Sequence, residues 1–288
     1  MKDIAFVIIT IRDFKVANAC IDSIKTHSKD LSYDIYILFN GIPLPDKIPE
    51  DVIVKRLDKM KYPSGAKLYM EDFLCDKSYK YIFMLDDDIE IVDEGSKKLF
   101  DFMESNETVG LCSGSTKDHG SSKIRSGGQL IVDDYFLLRK KWENGGSKGF
   151  RETPFVIGGY YIMRNSILKN GVRSDDNISY GFWDIDLPMS VAKAGYKIGV
   201  YSKATSIHRR LVKPNQESEK IRKLQWRNRK NYGNSAIYFY KKWGLIPYCG
   251  GVLFTGNIGL SINRDGKDKI KKTFDNWKKK YDLELDSK

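Results

Sequence analysis

The chain has 288 residues, with 49 Lys+Arg against 38 Asp+Glu, a formal net charge of +11, and 41% hydrophobic and 30% charged residues. That composition excludes a disordered chain and a bundle of membrane helices, and the length is ample for a large buried core. The charge is uneven: residues 1–208 hold 29 basic and 30 acidic side chains, whereas residues 209–288 hold 20 and 8. A uniformly basic coat for nucleic acid is therefore excluded, and a balanced body with a basic appendage is expected.

In chain order, the apolar run Ile4–Ile11 is too short for a signal segment, is followed at once by Arg12, and reads as a buried strand. Phe14, Ala17, Ile21 and Ile24 recur at helical spacing behind Asp13, a natural N-cap. Asp34–Phe39 reads as a second strand closed by the turn signal Asn40-Gly41, and Val52–Leu57 as a third. Ser64 is placed to cap a helix carrying Leu68, Tyr69, Phe73 and Leu74. Tyr81–Leu85 is a fourth strand that ends in acid, and Leu99, Phe100 and Met103 mark a helix before the strand Val109–Cys112. This alternation predicts a parallel sheet with helices on both faces and ligands beyond the carboxyl ends of the strands.

Residues 114–150, rich in Gly, Ser and Lys, read as loops near the site. Phe155–Met163 reads as a strand around Gly158-Gly159, Asp184–Ala194 as a helix stopped by Gly195, and Lys197–Tyr201 as a last short strand leading to His208. From Pro214 the pattern becomes basic and helical. The uncharged stretch Trp243–Asn263 is long enough to span a bilayer, but Pro247 and five glycines make it a packed loop or surface segment, so no transmembrane segment is expected. The four cysteines form no CxxC pair and read as reduced thiols, consistent with a cytoplasmic protein.

Two acidic stretches carry the chemistry. Asp86-Asp87-Asp88 follows a buried strand directly, where adjacent carboxylates repel unless something binds them. Hard divalent cations choose such oxygens, and Mg²⁺ or Mn²⁺ is commonly held by one or two carboxylates plus substrate phosphates. Asp184 and Asp186 open a helix, either as dipole-stabilised caps or with one serving as a general base. His208 can complete a metal shell with the first cluster.

The order of these features resembles the family 2 glycosyltransferases of the GT-A fold. The opening strand with Thr10-Ile11-Arg12, the segment Tyr36–Gly41, the strand-plus-DxD Tyr81–Asp88, the segment Val156–Arg164, and Asp184–Leu187 with Ala194-Gly195-Tyr196 behind it carry the resemblance, with His208 where many members bind metal. The resemblance, over most of residues 4–208, implies a Rossmann-like mixed or parallel sheet flanked by helices over residues 1–212, and the residue pattern adds a basic, mainly helical extension over 213–288. It implies a nucleotide-sugar donor, UDP-linked, and a divalent cation, Mn²⁺ or Mg²⁺. By the same resemblance Asp88, His208 and Asp86 are the metal residues, and Thr10, Arg12, Asn40, Lys67, Asp86 and Asp87 face the donor. Asp184 is the base for an inverting transfer, while Gly158, Gly159, Trp183 and Asp186 face acceptor or sugar. Two positions depart from the family pattern: Phe39 stands where an acid usually reads the nucleotide base, and Trp183 stands where an acid usually precedes the catalytic aspartate.

The extension interleaves basic and aromatic residues: Arg222, Lys223, Trp226, Arg227, Arg229, Lys230, Tyr232, Tyr238, Tyr240, Lys241, Lys242 and Trp243. Such a segment suits an anionic membrane surface or DNA. The expected acceptor is a glycan or cell-surface polymer, with the enzyme in the cytoplasm or at the inner membrane surface. The alternatives are transfer to a hydroxylated DNA base such as hydroxymethylcytosine, in the host cytoplasm if phage-encoded, and a non-catalytic binder of sugar nucleotides or nucleic acid.

Overall fold

The computed structural model describes residues 2–121, 124–133, 136–143, 149–156, 159–178, 181–209, 220, 229–249, 253–255, 258–260 and 266–286. The first half alternates as its apolar pattern dictates: β1 (Ile4–Thr10), α1 (Phe14–His27), β2 (Tyr33–Asn40), β3 (Val52–Leu57), α2 (Pro63–Cys75) and β4 (Tyr81–Asp86). β1 is buried along nearly its whole length, as a strand covered on both faces must be. Asp13 caps α1 by accepting the backbone N–H of Lys15 at 2.9 Å. Ser64 does not cap α2. Pro63 occupies the first helical position, where its fixed φ suits the turn, and so Tyr62 is the cap residue and Ser64 is buried inside.

After β4 come β5 (Ile89–Val92), α3 (Gly95–Glu104), β6 (Val109–Asp118), β7 (Ile124–Asp133), β8 (Phe136–Glu143), β9 (Phe150–Glu152), β10 (Tyr160–Arg164), α4 (Asn165–Lys169), α5 (Trp183–Lys193) and β11 (Lys197–His208). The main sheet runs β8-β7-β6-β10-β4-β1-β2-β3. β4, β1, β2 and β3 are parallel, but β10 is antiparallel to both neighbours, and so the sheet is mixed rather than parallel throughout. Within residues 114–150, expected as loops, β7 and β8 pair antiparallel. In the expected strand Phe155–Met163, Phe155, Val156 and Gly159 are not β, and β10 begins at Tyr160.

The last strand is not short. β11 spans 12 residues: both its first part and Thr205–His208 pair parallel with β6, and Thr205–His208 also pairs antiparallel with β5, with His208 opposite Ile89. That register returns the chain to the residue after Asp88.

The C-terminal region adds α6 (Arg229–Trp243), β12 (Ile246–Cys249), β13 (Leu253–Thr255), β14 (Ile258–Leu260) and α7 (Lys267–Asp286). The stretch from Trp243 is therefore not a loop where it is described, because β12 joins the main sheet beside β8. No described helix is long and apolar enough to cross a membrane. Nor is the extension a loose appendage. Two cores fill the faces of the sheet, and a third packs Phe136, Leu137, Ile178, Phe182 and Ile185 against Ala236, Ile237, Phe239, Ile246, Ile270 and Phe274, across the 212/213 boundary. Gly181 permits a close approach between the two, since a Cβ there would lie 2.4 Å from the Tyr232 ring. Lys241, Lys242, Lys271 and Lys278 pair with acids inside the chain, which removes part of the basic excess from solvent. Arg222, Lys223, Trp226 and Arg227 lie outside the described residues.

Candidate active site

The carboxyl ends of β1 and β4 lie side by side, with Ile9 opposite Asp86, and the acids cluster there. Thr10 Oγ1 donates to Asp87 Oδ2 at 2.7 Å, and an Arg12 guanidinium nitrogen donates to Asp87 Oδ1 at 2.7 Å. The same nitrogen pairs with Asp88 Oδ2. The other oxygen, Asp88 Oδ1, is shut off from water, accepts no well-formed hydrogen bond, and faces His208 Nε2 at 3.3 Å. On the far side of the imidazole, Nδ1 lies 3.5 Å from Asp118 Oδ1, at the end of β6. A carboxylate there orients the ring. Arg209 continues the clasp, donating its backbone N–H to the Asp88 carbonyl at 2.8 Å and its side chain to Glu90 at 2.7 Å.

These environments push the three aspartates apart. Burial raises the Asp87 carboxyl to about 7, despite Arg12 and Thr10. Burial also raises Asp86, against the pull of Lys67. Burial acts on Asp88 in the same sense, but the adjacent His208 imidazole and Arg12 guanidinium outweigh it and hold that carboxyl below its usual value. Asp88 is therefore the one of the three held as a firm anion.

Asp86 turns toward α2 and β10. Its backbone N–H donates to the Gly159 carbonyl at 3.0 Å, and a Cβ on Gly159 would come within 2.9 Å of Asp86 Oδ2. The glycine thus leaves room at the carboxylate. Gly158 lies outside the described residues. Lys67 is buried, with its ammonium 4.2 Å from the centre of the Trp183 ring and 4.8 Å from that of Tyr161. Burial lowers its pKa, while Asp86, Glu71 and Asp184 pull it up. Lys67 thus links the strand-end acids to Asp184, half-buried in the first turn of α5.

Two expected contacts are used structurally instead. The Asn40 amide both donates to and accepts from the backbone of Lys61, at 2.9 and 2.8 Å, and so it locks a turn rather than presenting itself to a donor. Asp186, expected at acceptor or sugar, accepts from Lys242 at 2.9 Å and from the Trp243 indole at 2.7 Å. Its carboxylate ties α6 to α5. Asp118, Glu90, Arg209 and Tyr161 were not singled out in the sequence. Asp118 becomes visible only if β6 is allowed to run ten residues.

Among solved structures the chain is similar to a crystal structure of GalNAc-T7 with UDP, GalNAc and Mn²⁺, at a TM-score of 0.59 and 11% identity, over 84% of this chain and 51% of that one. The chain has a GT-A fold. No protein-family model matches it, and no curated protein matches it in sequence. The chain spans about half the length of that neighbour. In the GT-A frame the acid cluster and His208 lie at the carboxyl edge of the central strands, where open α/β sheets take ligands.

The donor set suits a hard divalent cation: carboxylate oxygen and imidazole, with one buried oxygen lacking a hydrogen bond. Among the described residues no three His, Cys, Asp or Glu side chains form a ready-made cage.

Proposed function

We propose that this chain is a metal-dependent glycosyltransferase that moves a sugar from a nucleotide-sugar donor, UDP-linked, to a hydroxyl of a glycan or cell-surface acceptor, with inversion at the anomeric carbon. The observation that carries the reading is the meeting of Asp88 Oδ1, in the turn after β4, and His208 Nε2, at the end of β11, at 3.3 Å and 120 positions apart in sequence, at the ligand edge of a GT-A sheet. The neighbour crystallised with UDP and Mn²⁺ supports the donor class and the metal.

Asp88 and His208 would hold the cation, Mn²⁺ or Mg²⁺, with Asp86 nearby. When bound, the cation supplies positive charge to the departing diphosphate. Arg12 fixes Asp88 by engaging its other oxygen, and Asp118 orients His208. Lys67 places a buried positive charge in the field of Asp86 and Asp184, and Gly159, lacking a Cβ, lets the Asp86 carboxylate sit against its backbone. Asp184 takes the proton of the acceptor hydroxyl as its oxygen bonds to the anomeric carbon. The bond from that carbon to the diphosphate oxygen breaks, and the nucleoside diphosphate leaves with the electron pair. Trp183 offers an aromatic face to a sugar ring. The outward lysines Lys272, Lys279 and Lys280 are where the tail would meet a polyanionic acceptor or surface. Such contact would weaken steeply with salt.

The test is release of nucleoside diphosphate from a panel of nucleotide sugars with Mn²⁺ or Mg²⁺. Slow metal-dependent hydrolysis is expected, abolished by chelation. No binding and no turnover with any donor and either metal would overturn the reading.

A further inference from the structure

A cavity of about 580 Å³ opens between α2, residues 171–176, the end of α5 and the end of α6. Its size falls within the roughly 300–1,000 Å³ typical of small-molecule sites. It is separate from the acid cluster but shares two elements with it. α2 gives Lys67 to the active site and Leu68 to the cavity, while α5 gives Asp184 at its start and Lys193 at its end. Those two α5 positions are about 13 Å apart along the helix axis.

The cavity has an aromatic platform fixed in place. The half-exposed Trp243 ring is anchored by its indole N–H on Asp186 at 2.7 Å and packs on Phe239. Lys193 Nζ stands 5.7 Å from the ring centre. Around the platform, donors and acceptors alternate and their charges largely cancel. Lys242 pairs with Asp175 and Asp186, and Arg173 pairs with Asp72. Asp176 and Lys193, of opposite sign and both exposed, have no ion pair among the described residues.

We infer that this cavity is a carbohydrate-binding subsite that takes a neutral sugar unit of the acceptor, away from the reacting hydroxyl. A preset indole face meets the C–H face of a pyranose, and the ring of carboxylates and ammonium groups meets its hydroxyls. An inorganic anion would face Asp175 and Asp176, and an apolar ligand would strip water from five charged side chains without compensation. A polyhydroxylated neutral ring satisfies both kinds of group. That the ligand is a carbohydrate rests on the lining. That it belongs to the acceptor rests on the glycosyltransferase reading.

The test is isothermal titration of the full chain with neutral di- to hexasaccharides in gluco, galacto, manno and N-acetylhexosamine series, with UDP as a separate titrant. At least one series should bind, and Asp176→Asn and Lys193→Ala should each weaken it several-fold. Ser190→Trp, which fills the cavity from the wall of α5, should cost at least about tenfold, with UDP affinity unchanged within about twofold. Trp243→Ala should remove binding, and the Ser190 variant guards against misreading an unfolded Trp243 variant. Failure of every oligosaccharide series, equal binding by Ser190→Trp, or displacement by inorganic phosphate would overturn the inference. UDP binding without oligosaccharide binding sinks this subsite alone. Oligosaccharide binding lost in Ser190→Trp, without turnover of any donor, sinks the catalytic reading and leaves the subsite standing.

Discussion

Two groups of buried carboxylates in this protein look alike in sequence and behave differently in the fold. Asp186 lies at a helix start and has both oxygens taken by its own chain, one by Trp243 and one by Lys242. Asp88 lies at a strand end, is as deeply buried, and has one oxygen on Arg12 and the other without a well-formed hydrogen bond beside an imidazole. A buried acid that is fully paired holds elements together. One that is anionic and incompletely paired retains the capacity for a ligand. The contrast separates a tether from a candidate metal residue and predicts opposite consequences of neutralising each.

The largest effect is expected at Asp88. Asp88→Ala should abolish metal-dependent release of nucleoside diphosphate, by about a thousandfold or more, and should weaken Mn²⁺ binding measured by calorimetry. An active Asp88→Ala variant would erase the distinction. Next comes Asp184→Asn, which should lower kcat for transfer by about 10²–10⁴ while leaving the donor KM nearly unchanged. A large rise in donor KM instead would place Asp184 among the structural acids with Asp186.

Asp186→Asn should behave in the reverse way. It leaves Lys242 partly buried beside a neutral amide and weakens the α5–α6 tether, which costs about 1–3 kcal/mol by chemical denaturation. The residual folded protein should keep its donor affinity. Lys242→Met alone and combined with Asp186→Asn would complete a double-mutant cycle, with a coupling of at least about 0.5 kcal/mol if the pair acts as one. Loss of donor affinity at full stability would return Asp186 to the site.

The parts that were legible from sequence are those whose signal is local. β1, β2, β3 and β4 are continuous apolar runs, and their helices repeat at helical spacing, so their existence and order follow from the residues themselves. The strand-end acids stand out because a buried run terminates in three charges. What escaped was set by partners far along the chain. The β7–β8 pair is hidden by Gly, Ser and Lys and is stabilised by pairing with β6 and β12. The length of β11 depends on β5, and the fate of Asp186 on residues 56 and 57 positions away. An acid near the base motif looks like a ligand residue until the helix that covers it is in place.

The last effect concerns Asp87, which tests whether burial or pairing dominates in the cluster. Its folded pKa is about 7, above the ordinary 3.8, so between those values the folded state binds more protons than the unfolded one. Stability should therefore fall as pH rises through that window, by at most about 1.4 kcal/mol per pH unit. Asp88 contributes with the opposite sign and elsewhere. Its depressed carboxyl gives stability that is present above pH 3.8 and lost as pH falls through its own lower value. Asp86 and Asp186 are raised like Asp87, so the wild-type profile mixes them and the difference from Asp87→Asn is the useful readout. Denaturant midpoints from pH 4 to pH 7 should decline less steeply for Asp87→Asn than for wild type. An unchanged slope would mean that Arg12 and Thr10 hold Asp87 ionised throughout, leaving two firm anions at the strand end instead of one.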